Sequence, residues 1–116
     1  MEHEIETNLN GNTIITIQGE MDAYGCSQIR PTLEKVIANS NRHDVHMDLS
    51  DVVFVDSSGI GAIVFLFKRL KSQGQTLLIH GVNGQPKELM KLLRVASAIN
   101  VSFGNEHLTD DSLCNL

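Results

Sequence analysis

Apolar and polar positions along this chain follow two rhythms that take turns. Ile5 to Gln18 holds two short runs of β-forming residues joined at Asn10-Gly11-Asn12. Asn-Gly tolerates positive φ at both central positions, so a hairpin is predicted there. The second arm, Thr13 to Ile17, is β-branched throughout and is expected to be buried, ending in a polar turn at Gly19-Glu20-Met21-Asp22. Helical spacing follows, with Ile29, Leu33, Val36 and Ile37 at i, i+4, i+7 and i+8. Gly25 and Pro31 oppose a straight helix, because an interior proline costs about 3 kcal/mol. The prediction is a loose segment from Ala23, then a regular helix from about Arg30 with Pro31 in its first turn, ended by Asn39-Ser40-Asn41.

Val45 to Leu49 alternates apolar and polar, as a strand with one covered face does. Past Ser50-Asp51 comes a second apolar run, Val52 to Val55, which stops at Asp56. Helical periodicity resumes after Gly59 and predicts an apolar face of Ile60, Ile63, Val64, Phe67 and Leu70, widened by Phe65 and Leu66. Lys68, Arg69 and Lys71 close that helix where its dipole favours cations. Thr76 to His80 reads as a buried strand, Pro86 opens a helix burying Leu89, Leu92 and Leu93, and Asn100 to Phe103 is an edge strand. One more helical turn is expected near Thr109 to Leu113. The order β-β-α-β-α-β-α-β predicts an α/β fold with right-handed parallel crossovers and one antiparallel member.

Bulk properties narrow the function. The 116 residues predict one domain, residues 1–116, with enough chain for a core. A net charge of −5, no Trp, one Tyr and four Phe argue against nucleic acid as a partner, which calls for basic patches and exposed rings. Acids dominate up to Ser57 and bases from Ser58 to Ile99, an asymmetry expected of solvated helix faces. Cys26 and Cys114 match no metal spacing and read as free thiols in a reducing compartment. The opening Met1-Glu-His-Glu is no signal peptide and no apolar run approaches membrane-spanning length, so a cytoplasmic protein without membrane insertion is expected.

The densest chemistry lies in Asp56-Ser57-Ser58-Gly59, where a strand meets a helix. Helix N-termini carry unpaired N–H groups and partial positive charge, and Ser and Asp satisfy them. This is a capped turn, and also a small polar site where a phosphate could be added or held. A serine nucleophile would need the elbow Gly-x-Ser-x-Gly, but Val55 and Asp56 precede Ser57. His3, His43, His46, His80 and His107 are poor candidates for its base. No phosphate-binding loop is present, and Gly59-x-Gly61 is a fragment of a dinucleotide fingerprint. Asp48, Asp51 and Asp56 are a weak metal set, and the chain lacks the acidic pair that a receiver domain places after its first strand. No catalytic residue, cofactor or metal site is therefore expected; what survives is a site that another protein acts upon.

Gly19-Glu20-Met21-Asp22 and the run Met47-Asp48-Leu49-Ser50 with Val53-Phe54-Val55-Asp56-Ser57-Ser58-Gly59-Ile60-Gly61 resemble the signatures of the STAS domain. The likeness is strongest to the small stand-alone anti-sigma-factor antagonists of bacteria, and covers nearly the whole chain. It implies the STAS fold, a mixed, mostly parallel sheet of four to five strands against three to four helices. It also implies partner switching. In that family the first Ser after the Asp is phosphorylated by an anti-sigma factor that is itself a serine kinase of the GHKL ATPase type, using ATP. The bare protein holds this partner, and a metal-dependent serine phosphatase resets the cycle. Carried over, Ser57 is the phosphoacceptor, and Asp22, Asp56, Ser57, Ser58, Gly59 and Ile60 belong to the partner surface of a monomer or weak dimer. Similar domains also serve non-sigma outputs, such as biofilm, polysaccharide or second-messenger signalling, or sit as constitutive cytoplasmic subunits of transporter complexes.

Overall fold

The computed structural model describes residues 1–7, 10–39 and 43–103. Its elements are β1 (Glu2–Thr7), β2 (Thr13–Met21), α1 (Ala23–Asn39), β3 (Val45–Val55), α2 (Ser57–Ser72), β4 (Leu77–Val82), α3 (Gly84–Leu92), a single 3-10 turn (Val95–Ser97) and β5 (Asn100–Phe103). The five strands form one sheet in the order β1-β2-β3-β4-β5. The β1–β2 pair is the expected antiparallel hairpin, and the other pairs are parallel.

Register sorts the side chains into two faces. Ile5, Ile15, Met47, Ile79 and Val101 stand abreast across the five strands. Ile15, Met47 and Ile79 are buried, and they join Ile29 and Leu33 of α1 and Ile63, Leu66 and Leu70 of α2 in one core. α1 and α2 lie side by side, with the Arg30 guanidinium 3.8 Å from the centroid of the Phe65 ring. On the opposite face, Glu4, Thr16, Asp48 and His80 make the next row.

Several expectations are corrected. Gly19-Glu20-Met21 is not a turn: β2 runs on to Met21, and Gly19 (φ 96°) absorbs a shift in register that lets it do so. α1 starts at Ala23 rather than Arg30, because Asp22 caps it. The Asp22 carboxylate accepts from Gly25 N at 2.8 Å and its carbonyl from Cys26 N at 2.9 Å. Pro31 therefore sits inside the helix, on its exposed side, where the carbonyl it leaves unbonded can turn to water.

The runs Val45–Leu49 and Val52–Val55 are one eleven-residue strand, and the polar positions of its first half are covered as well as the apolar ones. His46 and His80 stack there, buried, with Nδ1 of one 2.9 Å from Nε2 of the other. On α2 the buried stripe is Gly59, Ile63, Leu66 and Leu70, while Val64 and Phe67 are half-exposed. On α3 the buried residues are Pro86 and Met90, and Leu92 and Leu93 face outward at 77% and 52% exposure. Periodicity located both helices; on α2 the expected Ile63, Leu66 and Leu70 are buried and Ile60, Phe65 and Phe67 pack against the core, whereas on α3 only Leu89 of the three expected leucines does. The expected stop at Ser40-Asn41 and the turn near Thr109 to Leu113 lie outside the described residues, as does Cys114.

Candidate functional site

Both long helices begin at the same end of the sheet, and each is capped by an aspartate that follows a strand. Met21 and Val55, the last residues of β2 and β3, are register partners. Asp22 follows the first and Asp56 the second. The Asp56 carboxylate accepts from Ser58 N at 2.8 Å and Gly59 N at 3.1 Å, and its carbonyl accepts from Ile60 N at 3.1 Å. Asp56 N in turn donates to Met21 O at 3.3 Å, tying the start of α2 to the end of β2.

Gly59 makes this approach possible. A Cβ there would stand 2.6 Å from Met21 O and 2.7 Å from a Val55 methyl, contacts that no side chain could relieve without moving backbone. Cys26 is buried between the two caps. Burial first, then the charges of Asp56 and Asp22, push its thiol up, so it stays protonated and unreactive.

Within this frame the predicted residues have distinct positions. Ser57 is the first residue of α2 and is exposed. Its hydroxyl makes no hydrogen bond among the described residues. Ser58 is half-buried and lines a shallow depression of about 590 Å³ with Gly61 and Ala62 of α2 and Cys26, Ser27 and Arg30 of α1. Gly59 is buried, Ile60 packs partly into the core, and Asp22 is half-buried at the neighbouring cap. The structure thus brings Asp22, Asp56, Ser57, Ser58, Gly59 and Ile60 to one corner of the molecule.

One detail changes the sequence-level picture of a phosphate meeting unpaired amides. Two N–H groups of the first turn are already held by Asp56, and a third, that of Ile60, by its carbonyl. A phosphate on Ser57 would stand beside a carboxylate rather than replace it.

Sequence reasoning missed three features of this corner. Val53 is an extra residue of β3: Gly19 pairs with Val52 but Glu20 with Phe54, so Val53 is bulged out and 66% exposed, with Phe54 at 39%. In sequence both look like core strand. Tyr24, 72% exposed, stands on the first turn of α1 beside Asp22. Finally, Gln85 bonds to both peptide groups of Val55. No sequence signal marks that contact, because Asn83-Gly84-Gln85-Pro86 reads as an ordinary helix start.

Among the described residues, no histidine is hydrogen-bonded to either serine, and no cluster of three His, Cys, Asp or Glu could hold a metal ion. No described helix is long and apolar enough to cross a membrane.

The model of the STAS domain matches residues 4–107. The chain belongs to the STAS-domain family. Curated relatives include the anti-sigma-B factor antagonist of Staphylococcus epidermidis, 31% identical over 109 residues, covering 85% of this chain and 97% of that protein. That of Bacillus subtilis (strain 168) is 29% identical over 108 residues, covering 91% and 96%. In three dimensions this STAS domain is similar to the anti-sigma factor antagonist SpoIIAA in its unphosphorylated form, with a TM-score of 0.72, 16% identity, and 98% and 96% of the two chains covered. The Bacillus SpoIIAA in the phosphorylated form gives 0.71 at 15% identity, covering 98% and 97%. The five-stranded mixed sheet with three helices is therefore the STAS fold, as the motifs implied.

Proposed function

We propose that this STAS domain is a partner-switching regulator of the anti-sigma-factor-antagonist type, controlled by phosphorylation of Ser57. Bare, it binds a partner that is both anti-sigma factor and serine kinase, of the GHKL ATPase type; phosphorylated, it lets that partner go. The observation that carries the reading is the Ser57 hydroxyl, exposed and without a hydrogen-bond partner among the described residues, beside a helix cap whose amides Asp56 already holds. The names of the curated relatives, and the existence of a structural neighbour in both phosphorylation states, support it.

In the transfer, the γ-phosphoryl of ATP moves to Ser57 Oγ, the hydroxyl proton passes to a base on the partner, and ADP leaves. This domain supplies the acceptor and its presentation, not the catalysis. The product carries about −1.5 to −2 extra charge. With the nearby amides taken, the surface keeps that charge next to Asp56, and the exposed Tyr24, Val53 and Phe54 lie on the segments that flank the two caps. A partner that closes over the corner must then desolvate a dianion, and opposing like charge at an interface costs several kcal/mol. A metal-dependent serine phosphatase resets the site. The domain acts in the cytoplasm as a monomer or weak dimer.

The test uses the purified chain, ATP and the candidate GHKL-type kinase, with intact-mass and peptide analysis. Wild type gains one phosphate on Ser57; Ser57→Ala gains none and binds the kinase constitutively; Ser57→Asp binds at least tenfold more weakly. All three keep the same fold by circular dichroism. Modification at Ser58 overturns the assignment to Ser57; Ser57→Ala and Ser57→Asp binding alike, with no modification in the native cell, replaces this reading with that of a constitutive subunit.

A further inference from the structure

β3 loses its neighbour before it reaches the acceptor. Its pairing with β4 ends at Asp48 opposite His80, seven residues short of Val55. Beyond that point, peptide groups of β3 on this side need other partners. Two side-chain amides from the β4–α3 connection supply them. Asn83 Nδ2 donates to Ser50 O at 3.0 Å and to Gly81 O at 2.9 Å. Gln85 goes further: its Nε2 donates to Val55 O at 2.9 Å and its Oε1 accepts from Val55 N at 2.9 Å. A primary amide can present an N–H donor and a C=O acceptor side by side in one plane, which is what a neighbouring strand residue would offer. Gln85 thus stands in for a missing strand at the single residue that precedes Asp56.

We propose that Gln85 is the positioning residue of the phosphoacceptor turn. Val55 is fully buried and its peptide is held on one side by Gln85. The next residue is held on the other side, Asp56 N by Met21 O. Between them these contacts set the direction in which the chain leaves the sheet, and hence where Ser57 Oγ stands relative to an incoming phosphoryl group. In-line transfer is sensitive to such placement, since a misplacement of about 1 Å can cost a hundredfold in rate. Gln85 itself is exposed and lies in the first turn of α3, so it contributes little to the core. Its two bonds to Val55 therefore serve the turn rather than the fold. The role rests on Ser57 being the acceptor.

Gln85→Met tests it, because methionine keeps the length and the helix propensity and removes both bonds. Two measurements are made on the full chain, with Glu88→Gln on the same helix as a control. The first is amide hydrogen exchange. Val55 is expected to exchange at least tenfold faster in Gln85→Met, while Leu77 to His80 in the regular ladder are unchanged. The second is phosphorylation of Ser57 by the candidate kinase with ATP. We expect kcat to fall about tenfold with KM for the chain changed less than twofold, and Glu88→Gln to match wild type. Unchanged exchange at Val55 overturns the proposal, as does faster exchange with an unchanged kcat. If wild type itself is not phosphorylated, the acceptor reading fails together with this role; a loss confined to the variant pattern cannot be confused with that outcome.

Discussion

The two halves of β3 are built on different principles. Val45 to Asp48 has a strand on each side, β2 and β4, in unbroken register, and these four residues and Leu49 after them are buried, the polar ones included. Ser50 to Val55 has β2 on one side with two register shifts, and side-chain amides on the other; Asp51, Val53 and Phe54 are exposed. A strand laddered on both edges has no freedom of direction, so its residues can only serve the core. Each bulge adds a residue and twists the strand, which re-aims the side chains that follow. The first half of β3 thus anchors the sheet, and the second turns that anchor into a platform from which Ser57 is presented.

The comparison can be broken by disturbing either half. Met47→Ala, in the centre of the laddered half, should cost about 2–5 kcal/mol, as large-to-small changes at fully buried positions do. Urea denaturation measures it, and a loss below about 1 kcal/mol would mean that this half is not the anchor.

Acid should act on the same half through the histidine pair. Burial, then the neighbouring His46, lowers the His80 pKa to about 4 against the opposing pull of Asp48; burial also lowers that of His46 against Asp44. Both are neutral in the fold at neutral pH, whereas the unfolded chain titrates near 6.5. Below that pH the unfolded state binds protons that the fold refuses. Stability from this source is whole above about pH 6.5 and drains as the pH falls toward 4, by up to roughly 3 kcal/mol. The double variant His46→Gln/His80→Gln should show a flatter stability profile between pH 7 and 4.5 than wild type; parallel profiles would refute the assignment.

The smallest effect on stability belongs to the presenting half. Asp56→Ala removes an N-cap, worth about 0.5–2 kcal/mol. The loss should be confined to the first turn of α2, read as faster amide exchange at Ser58 and Gly59 with the β3–β4 ladder unaffected. Exchange that rises equally across the sheet would show that the two halves are not separable.

How far each feature was legible depended on the range of the interaction behind it. The hairpin at Asn10-Gly11, the strand-to-helix switch at Asp56 and the element order all follow from neighbours in sequence, and the structure has them. The start of α1 was misjudged because Pro31 and Gly25 argue locally against a helix, while the Asp22 cap outweighs them. Leu92 and Leu93 carry a helical period yet point outward, since α3 packs on β3 and the residues that it buries are Pro86 and Met90. His46, Val53 and Gln85 gave no warning at all: one is stacked on a residue 34 positions away, one is displaced by register, and one bonds to a residue 30 positions before it.

By itself, then, the sequence determined the succession of strands and helices, the STAS motifs and the capped serine turn, all of which depend on residues within a few positions of one another. Tertiary structure alone decided that both caps meet at one corner. It also decided that Ser57 is exposed while Ser58 is half-buried, and that β3 loses β4 and gains Gln85 before it ends. Those outcomes depend on how strands lie in register, and register is settled by the packing of the whole sheet rather than by any segment of it.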